Sequence, residues 1–364
     1  MTPRVSIAIP TYNQPQFNGQ AVQSALTQDY ANLEVIVSDD ASVDPLVQAA
    51  LDPYRSDARL RIMTHAQNVG RVANYRRALY EYMTGDWALI LDGDDALIDP
   101  TYVSGAIEKA SRIDGIVLAF GGCRMVSNNR YHDHLQSRLK GESDITPDGL
   151  WQVIDGRDYF LQWGVWLGVP HQSALYRRSL AMQLDFYRYN IISSDWESLR
   201  RLILHGRVII CRKPVAIWRR HSIGASNDVD LDSRIADLQS ICEPYRYAQS
   251  FELDAAALKK WRSDVLADYA IDTYRVGLDQ AVTVDVRPLL TAIEKIDRIA
   301  EQHARNVIHR SLVFMIKRIL LRALGTKRFL EWMATIHGMT WPRITALLDL
   351  ASLGGGCQVD MKQK

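Results

Sequence analysis

Short apolar runs alternate with segments of helical spacing along the first hundred residues. Val5 to Pro10 is mostly apolar and ends in proline, the pattern of a buried parallel strand. A helical stretch from about Gly19 to Leu26 leads to a second apolar run, Leu33 to Ser38, closed by Asp39, Asp40, Ala41 and Ser42. A helix around Leu46 to Tyr54, a strand Leu60 to Thr64, a helix Arg71 to Met83 and a fourth apolar run, Trp87 to Leu91, complete the series. Alternation at this length makes βαβ units, so the expected fold is α/β, with a mostly parallel sheet covered by helices on both faces. Ligands of such sheets bind beyond the carboxyl ends of the strands. Those ends carry Pro10-Thr11-Tyr12-Asn13, Asp39-Asp40 and Asp92-Gly93-Asp94-Asp95. Three polar clusters should therefore open into one cleft.

From about Gly115 to Trp218 the pattern is mixed, with strands expected near Ile116 to Phe120 and Val208 to Ile210 and a stretch between them rich in tryptophan (Trp151, Trp163, Trp166). Beyond about Asp230 the spacing is helical almost throughout, and helices are expected near 232–249, 254–282, 288–302, 305–324, 327–337 and 342–353. The glycines at 354–356 and the polar tail should fray. The reading is one α/β domain over residues 1–230 followed by a helical accessory region over 231–364.

The formal net charge of +1 gives no global reason to expect a nucleic-acid or acidic partner. The four cysteines are far apart and form no CxxC or Cys/His cluster, which argues against a zinc site or a disulfide framework. The N-terminus enters a strand at once and lacks a signal-peptide pattern. No stretch approaches the roughly 18 uncharged apolar residues of a membrane span. A cytoplasmic location is expected, with a peripheral position at the inner face of a membrane left open.

Closely spaced aspartates at the end of an apolar strand, in LILDGDDALIDP (89–100), repel one another unless a cation joins them. Hard carboxylate oxygens suit Mn²⁺ or Mg²⁺, which bind partly through such groups and partly through substrate phosphates. The plainer alternative is a solvated acidic turn.

In order and spacing, IPTYNQ, VSDDASVD, NVGRVANYRRAL and LDGDDALIDP resemble the motifs of the family 2 glycosyltransferases with the GT-A (Rossmann-like) fold. Two later segments, SSDWESLRRLILHG (193–206) and IWRRHSIGAS (217–226), look like that family's acidic catalytic segment and its late histidine motif. The resemblance covers roughly residues 1–228. It implies an inverting enzyme that moves a sugar from a nucleotide-diphosphate donor to a carbohydrate or lipid-linked acceptor in surface polysaccharide or glycoconjugate assembly. By that resemblance Pro10, Thr11, Tyr12 and Asn13 line the base pocket and Asp39 hydrogen-bonds the base. Asn68, Gly70 and Asn74 shape the loop and helix beside the nucleotide. Asp92, Asp94 and Asp95 hold the ribose and the metal diphosphate, with Asp94 and His221 as metal ligands.

Asp195 is then the expected general base and Glu197 its alternative. The segment from Ser194 to Glu197 also fits a capping box, with Ser194 as N-cap, and a helix start would hold Asp195 rigidly for proton transfer. Arg219 and Arg220 are candidates to neutralise phosphate charge. His171 and Trp196 are expected on the acceptor side, and Trp163 and Trp166 could offer further sugar platforms. Between Glu301 and Glu331 the chain has no acidic residue but carries Arg305, Arg310, Lys317, Arg318, Arg322, Lys327 and Arg328. On a helical projection Leu312, Met315, Ile316, Ile319 and Leu320 group on one side, and Arg310, Lys317, Arg318 and Arg322 on another. Residues 305–328 thus read either as an interfacial helix on an anionic membrane or as a helix packed on its neighbours or a second subunit. Two rival functions remain: a sugar nucleotidyltransferase, for which IPTYNQPQ lacks the Gly-rich phosphate loop, and an inactive binding protein.

Overall fold

The computed structural model describes residues 2–127, 130–134, 144–164, 168–219, 230–280 and 284–311, and beyond these 314, 316–321, 324–325 and 328–329. The expectations for Trp166, Arg220, His221, Leu312, Met315, Arg322, Lys327, residues 330–337 and the helix 342–353 fall outside them.

The chain starts with β1 (Val5–Thr11), α1 (Pro15–Leu26), β2 (Leu33–Asp39), α2 (Leu46–Leu51), β3 (Leu60–Thr64), α3 (Arg71–Arg77) and β4 (Trp87–Ile90). A short β5 (Ala96–Leu97), α4 (Tyr102–Arg112), β6 (Ile116–Ser127), β7 (Arg130–His134), β8 (Asp144–Ile145) and β9 (Trp151–Asp155) follow. Then come α5 (Gly156–Gln162), β10 (Leu175–Arg177), α6 (Arg178–Gln183), α7 (Ser194–Ile203) and β11 (Arg207–Arg219). The helical region holds α8 (Leu231–Ala236), α9 (Gln239–Ala248), α10 (Ala255–Asp279), α11 (Arg287–Ile296) and α12 (Arg298–Arg310).

One sheet runs in the order β3-β2-β1-β4-β10-β6-β11-β9-β8, with β5 paired to β11 and β7 to β6. β1 to β4 are mutually parallel, and β10 enters antiparallel between β4 and β6. The first strand ends therefore share one edge, where Asp40 N–H donates to the Thr11 carbonyl at 3.0 Å and Gly93 N–H to that of Pro10 at 3.0 Å.

Strand alternation sorts the core into two layers. Val5, Ile7, Ile9, Val35 and Val37 face α1 and α4, burying Ala21, Val22, Val103 and Ile107. Ala8, Ile36, Ile90, Leu118 and Phe120 face the other way, against α3, α5 and α7. This second layer does not stop near residue 230: Leu258, Trp261, Leu266, Leu289 and Ile293 belong to the same buried cluster. Trp261 also donates its indole N–H to the Trp163 carbonyl at 2.9 Å.

Several predicted helices are divided. The stretch 232–249 splits at Asp237 and Leu238 into α8 and α9. The stretch 288–302 breaks at Asp297, whose extended backbone (φ −155°, ψ 101°) lets its carboxylate cap α12 through the amides of Ile299 and Ala300. The helix predicted over 305–324 is not continuous: α12 ends at Arg310, and Ser311 is extended (φ −65°, ψ 114°). Within that stretch Arg305 pairs with Glu301 and Lys317 with Asp279 of α10 at 2.6 Å. Phe314 and Leu321 are buried in the common core, with Leu320 packed against it, while Ile319 is exposed. No helix among the described residues is long and apolar enough to cross a membrane.

Candidate active site

The rim of the cleft comes from the loops after β1 and β2. Asn13, in a left-handed conformation (φ 51°), accepts from the amides of Val43 at 2.9 Å and Asp44 at 3.2 Å, and its own N–H donates to the Ser42 hydroxyl. Tyr12 beside it is 45% exposed, so its ring is open to a ligand. Pro10 and Thr11 are buried in β1, and the Thr11 hydroxyl donates to Asn18 at 2.7 Å. Asp39 is buried, with one carboxylate oxygen accepting from Ser42 N–H and the other from Gln48; further lone pairs leave it acceptor capacity.

Asp40 has a different task. Its two oxygens accept from Val69 N–H at 2.8 Å and Gly70 N–H at 2.9 Å, and His65 adds a contact at 3.1 Å. The carboxylate thus fixes the loop that starts α3. Gly70 sits there at φ 87°, a conformation that glycine adopts at little cost. Asn68 is exposed in the same loop. Asn74 bonds both the Ser38 hydroxyl and the Ser38 carbonyl, so it ties α3 to β2.

The aspartate turn lies directly on β1. A side chain at Gly93 would meet the Pro10 carbonyl and the Thr11 hydroxyl at 3.0 Å, so glycine lets the turn approach this closely without displacing the strand. Asp92 accepts from the Tyr75 hydroxyl at 2.5 Å and lies 3.5 Å from His171 Nδ1. Burial acts to raise the Asp92 pKa, but the His171 bond and charge, Tyr75 and Arg71 outweigh it and hold the carboxyl below its ordinary value. Burial likewise opposes charge on His171, yet Asp92 and the charge of Asp195 push its pKa above the usual 6.5. The remaining His171 nitrogen contacts the Tyr187 hydroxyl at 3.1 Å. His171, expected on the acceptor side, therefore lies against Asp92, with both ring nitrogens engaged.

Asp95 is buried, and burial together with the charges of Asp94 and Asp92 drives its pKa well up. A nearby cation would relieve that repulsion, so the carboxylates of this turn fit a hard divalent ion. Among the described residues no three metal-ligating side chains converge into a complete site. Asp95 also accepts from Arg219 N–H at 2.8 Å, which anchors the end of β11 beside the turn. Arg219 was a candidate for phosphate. Its guanidinium instead holds the Asp94 carbonyl at 2.5 Å and the Gln20 side chain, over the Phe17 ring.

Asp195 sits in the first turn of α7, half-buried, and its charge acts on Arg71, His171, Tyr187 and Arg200. The expected capping box does not form. The N-cap is Ser193, not Ser194, and Ser193 makes no side-chain cap. Glu197 is 1% exposed and locked between Arg201 at 2.8 Å and Arg188 at 2.8 Å, so its carboxylate serves the helix interior rather than an acceptor. Trp163 is wholly buried and is no sugar platform; half-buried Trp196 meets it edge-on at 5.9 Å.

Three residues of this cluster were not singled out in the sequence. Arg71 donates to the carbonyls of Ile191 at 3.0 Å and Ile192 at 2.8 Å, reaching from the start of α3 to the segment before Asp195. Tyr75 and Tyr187 complete the shell around Asp92 and His171. Arg71 could have been noticed because it directly follows Gly70 within the third motif.

A parallel sheet whose strand ends gather an aspartate turn, a glycine-started helix and a second acidic helix start defines a GT-A domain. Residues 6–185 match the family model described as Glycosyl transferase family 2, and the chain belongs to that family. A GalNAc(5)-diNAcBac-PP-undecaprenol beta-1,3-glucosyltransferase of Campylobacter jejuni is 30% identical over 146 residues, 40% of this chain and 46% of its own length. The Escherichia coli UDP-Glc:alpha-D-GlcNAc-diphosphoundecaprenol beta-1,3-glucosyltransferase WfgD is 29% identical over 128 residues, 34% of this chain and 47% of its own length. The uncharacterized glycosyltransferase EpsJ of Bacillus subtilis is 27% identical over 201 residues, 54% and 52% of the two chains. The chain thus spans about half the length of these curated relatives. In fold it is similar to S. aureus TarS 1–349, solved with UDP-GlcNAc, with a TM-score of 0.62, 16% identity and 93% of each chain covered.

Proposed function

We propose that the protein transfers a sugar, with inversion, from a nucleotide-diphosphate donor to a hydroxyl of a glycan carried on a lipid diphosphate. The observation that carries this reading is the meeting of two acidic elements at one cationic cluster. His171 lies 3.5 Å from Asp92 of the aspartate turn, and Arg71 bonds the carbonyls of Ile191 and Ile192 just ahead of Asp195 of the second acidic segment. The names of two relatives, which act on diphosphoundecaprenol-linked sugars, support the acceptor class.

In this mechanism Tyr12, Asn13 and Asp39 bind the base, and the turn 92–95 receives the ribose and diphosphate. Asp195 accepts the proton of the acceptor hydroxyl. The hydroxyl oxygen bonds to the anomeric carbon as the bond from that carbon to the diphosphate oxygen breaks, and the electron pair leaves with the nucleotide diphosphate. Mn²⁺ or Mg²⁺, held by Asp94 and His221, would supply positive charge to the departing diphosphate. Tyr75 and His171 hold Asp92 in place, and no covalent enzyme intermediate is required.

The test is a panel of UDP-, GDP- and dTDP-sugars offered with a polyprenyl-diphosphate glycan, with and without chelator. The expected result is one preferred donor, loss of transfer on chelation that added Mn²⁺ or Mg²⁺ restores, and a product of inverted anomeric configuration by NMR. Retained configuration or undiminished transfer in chelator would refute the corresponding part of the mechanism.

A further inference from the structure

Residues 191–193, which lead into the helix bearing Asp195, are held from two sides. On one side Arg71 grips the carbonyls of Ile191 and Ile192. On the other, Asp237 reaches in from the helical region. One of its oxygens accepts from Ser193 N–H at 2.6 Å and the other from the Ser193 hydroxyl at 2.8 Å. The Tyr269 hydroxyl of α10 donates to that second oxygen at 2.8 Å, and Asp237 itself is 0% exposed.

Three features separate this contact from ordinary packing. The N-cap of α7 has no side-chain cap of its own, and the Ser193 hydroxyl that would normally turn into its helix points instead to Asp237. Asp237 lies at the turn between α8 and α9, where a continuous helix was expected, and its carboxylate faces Ser193 of the α/β part, 44 positions earlier. The same helix is fastened a second time: Arg200 of α7 donates to the Ser240 carbonyl at 2.8 Å and lies over the rings of Trp163, Trp196 and Trp261. A carboxylate that accepts from three donors, with Arg234 close by, is costly to bury and has no apolar equivalent at this place.

We infer that Asp237, fixed by Tyr269, is a positioning residue for Asp195, and that the helical region beyond residue 230 thereby sets the geometry of the proposed base. This rests on the transferase reading above for its catalytic consequence, but the clamp is a statement about structure and is testable without turnover. Asp237 is fully buried and acts through Ser193 and the first turn of α7. Arg71 makes the opposite jaw from the first turn of α3, so the segment before Asp195 is set jointly by the α/β part and the helical region.

The experiment uses the full chain with Asp237→Asn and the milder Tyr269→Phe, alone and combined with Asp195→Asn. An asparagine amide nitrogen cannot accept, so one of the Ser193 or Tyr269 donors loses its partner while the volume is kept. Hydrogen exchange is expected to quicken about tenfold or more in a peptide covering 191–199, with β1 and β4 unchanged in both variants. Turnover should fall roughly 10- to 100-fold in Asp237→Asn, the size of effect a misplacement of about 1 Å produces, with donor KM and donor Kd unaltered. Tyr269→Phe should give a smaller loss of the same kind. In the Asp195→Asn background, where the base is already gone, Asp237→Asn should cost less than about twofold. Unchanged exchange at 191–199, or loosening spread over the whole chain, would overturn the proposal. So would losses that multiply in the double variant, because they would place the effect on the fold rather than on the base. If the wild-type chain transfers no sugar, the functional reading fails, and the exchange measurement still decides the clamp.

Discussion

His171 and Asp92 illustrate how a site residue is tuned by what surrounds it. Because the folded pKa of His171 is raised above 6.5, its stabilising contribution is present below that value and is lost as pH climbs through the folded value. Asp92 has a lowered folded pKa, so its contribution is present above 3.8 and is lost as pH falls through the folded value. Thermal unfolding of wild type and His171→Asn should therefore differ most near pH 6. The gap should narrow toward pH 9 and again toward strongly acid conditions. A gap that widens with rising pH would rule out the charged pair. The aspartates of 92–95 and Asp195 were legible because they cluster, or follow recognisable segments in order. Tyr75, Tyr187 and Asp237 were not legible, since each derives its role from a partner at least 11 positions away that only folding brings near. The capping box shows the converse limit. Ser194 and Glu197 have the right types and spacing, but contacts with buried Arg201 and with Arg188 win the Glu197 carboxylate from the backbone amide.

At the scale of elements, β1, β2 and β4 follow the apolar runs closely, because a strand buried on both faces has little polar content to blur its limits, while β3 at the sheet edge is only partly buried. The helical region was legible as helix but not in its divisions. Asp237 and Asp297 sit in stretches of helical spacing where the helix is interrupted, Asp237 at a turn whose backbone stays helical (φ −67°, ψ −13°) and Asp297 at an extended residue, and both carboxylates accept tertiary hydrogen bonds. Asp297 caps α12 and accepts from Ser263 at 2.6 Å and Arg262 at 2.9 Å. Asp297→Ala removes the cap and both side-chain contacts and should lower stability by about 2–4 kcal/mol. Urea unfolding should report this as a lower midpoint with little change in slope. A loss below about 0.5 kcal/mol, the range of neutral surface changes, would show that the junction does not depend on the carboxylate.

For the molecule as a whole, the division near residue 230 that the change of pattern implied marks a change of secondary structure without a break in the core. Trp163 of the α/β part, Arg200 of α7 and Trp261 of α10 stack together, and one buried cluster runs from Ala8 to Phe329. Such continuity predicts a single calorimetric transition. Trp261→Ala should destabilise both parts together by about 3–5 kcal/mol, as loss of a large buried ring does. Two separated transitions in the wild type would contradict a shared core. The clamp on Ser193 also bears on engineering. Anyone wishing to alter the acceptor by grafting the helical half of a relative onto this α/β half would sever Asp237 from Ser193 and Trp261 from Trp163. A chimera joined near 230 should therefore inherit a misaligned active site unless residues 191–200 and the tryptophan stack are transplanted with it.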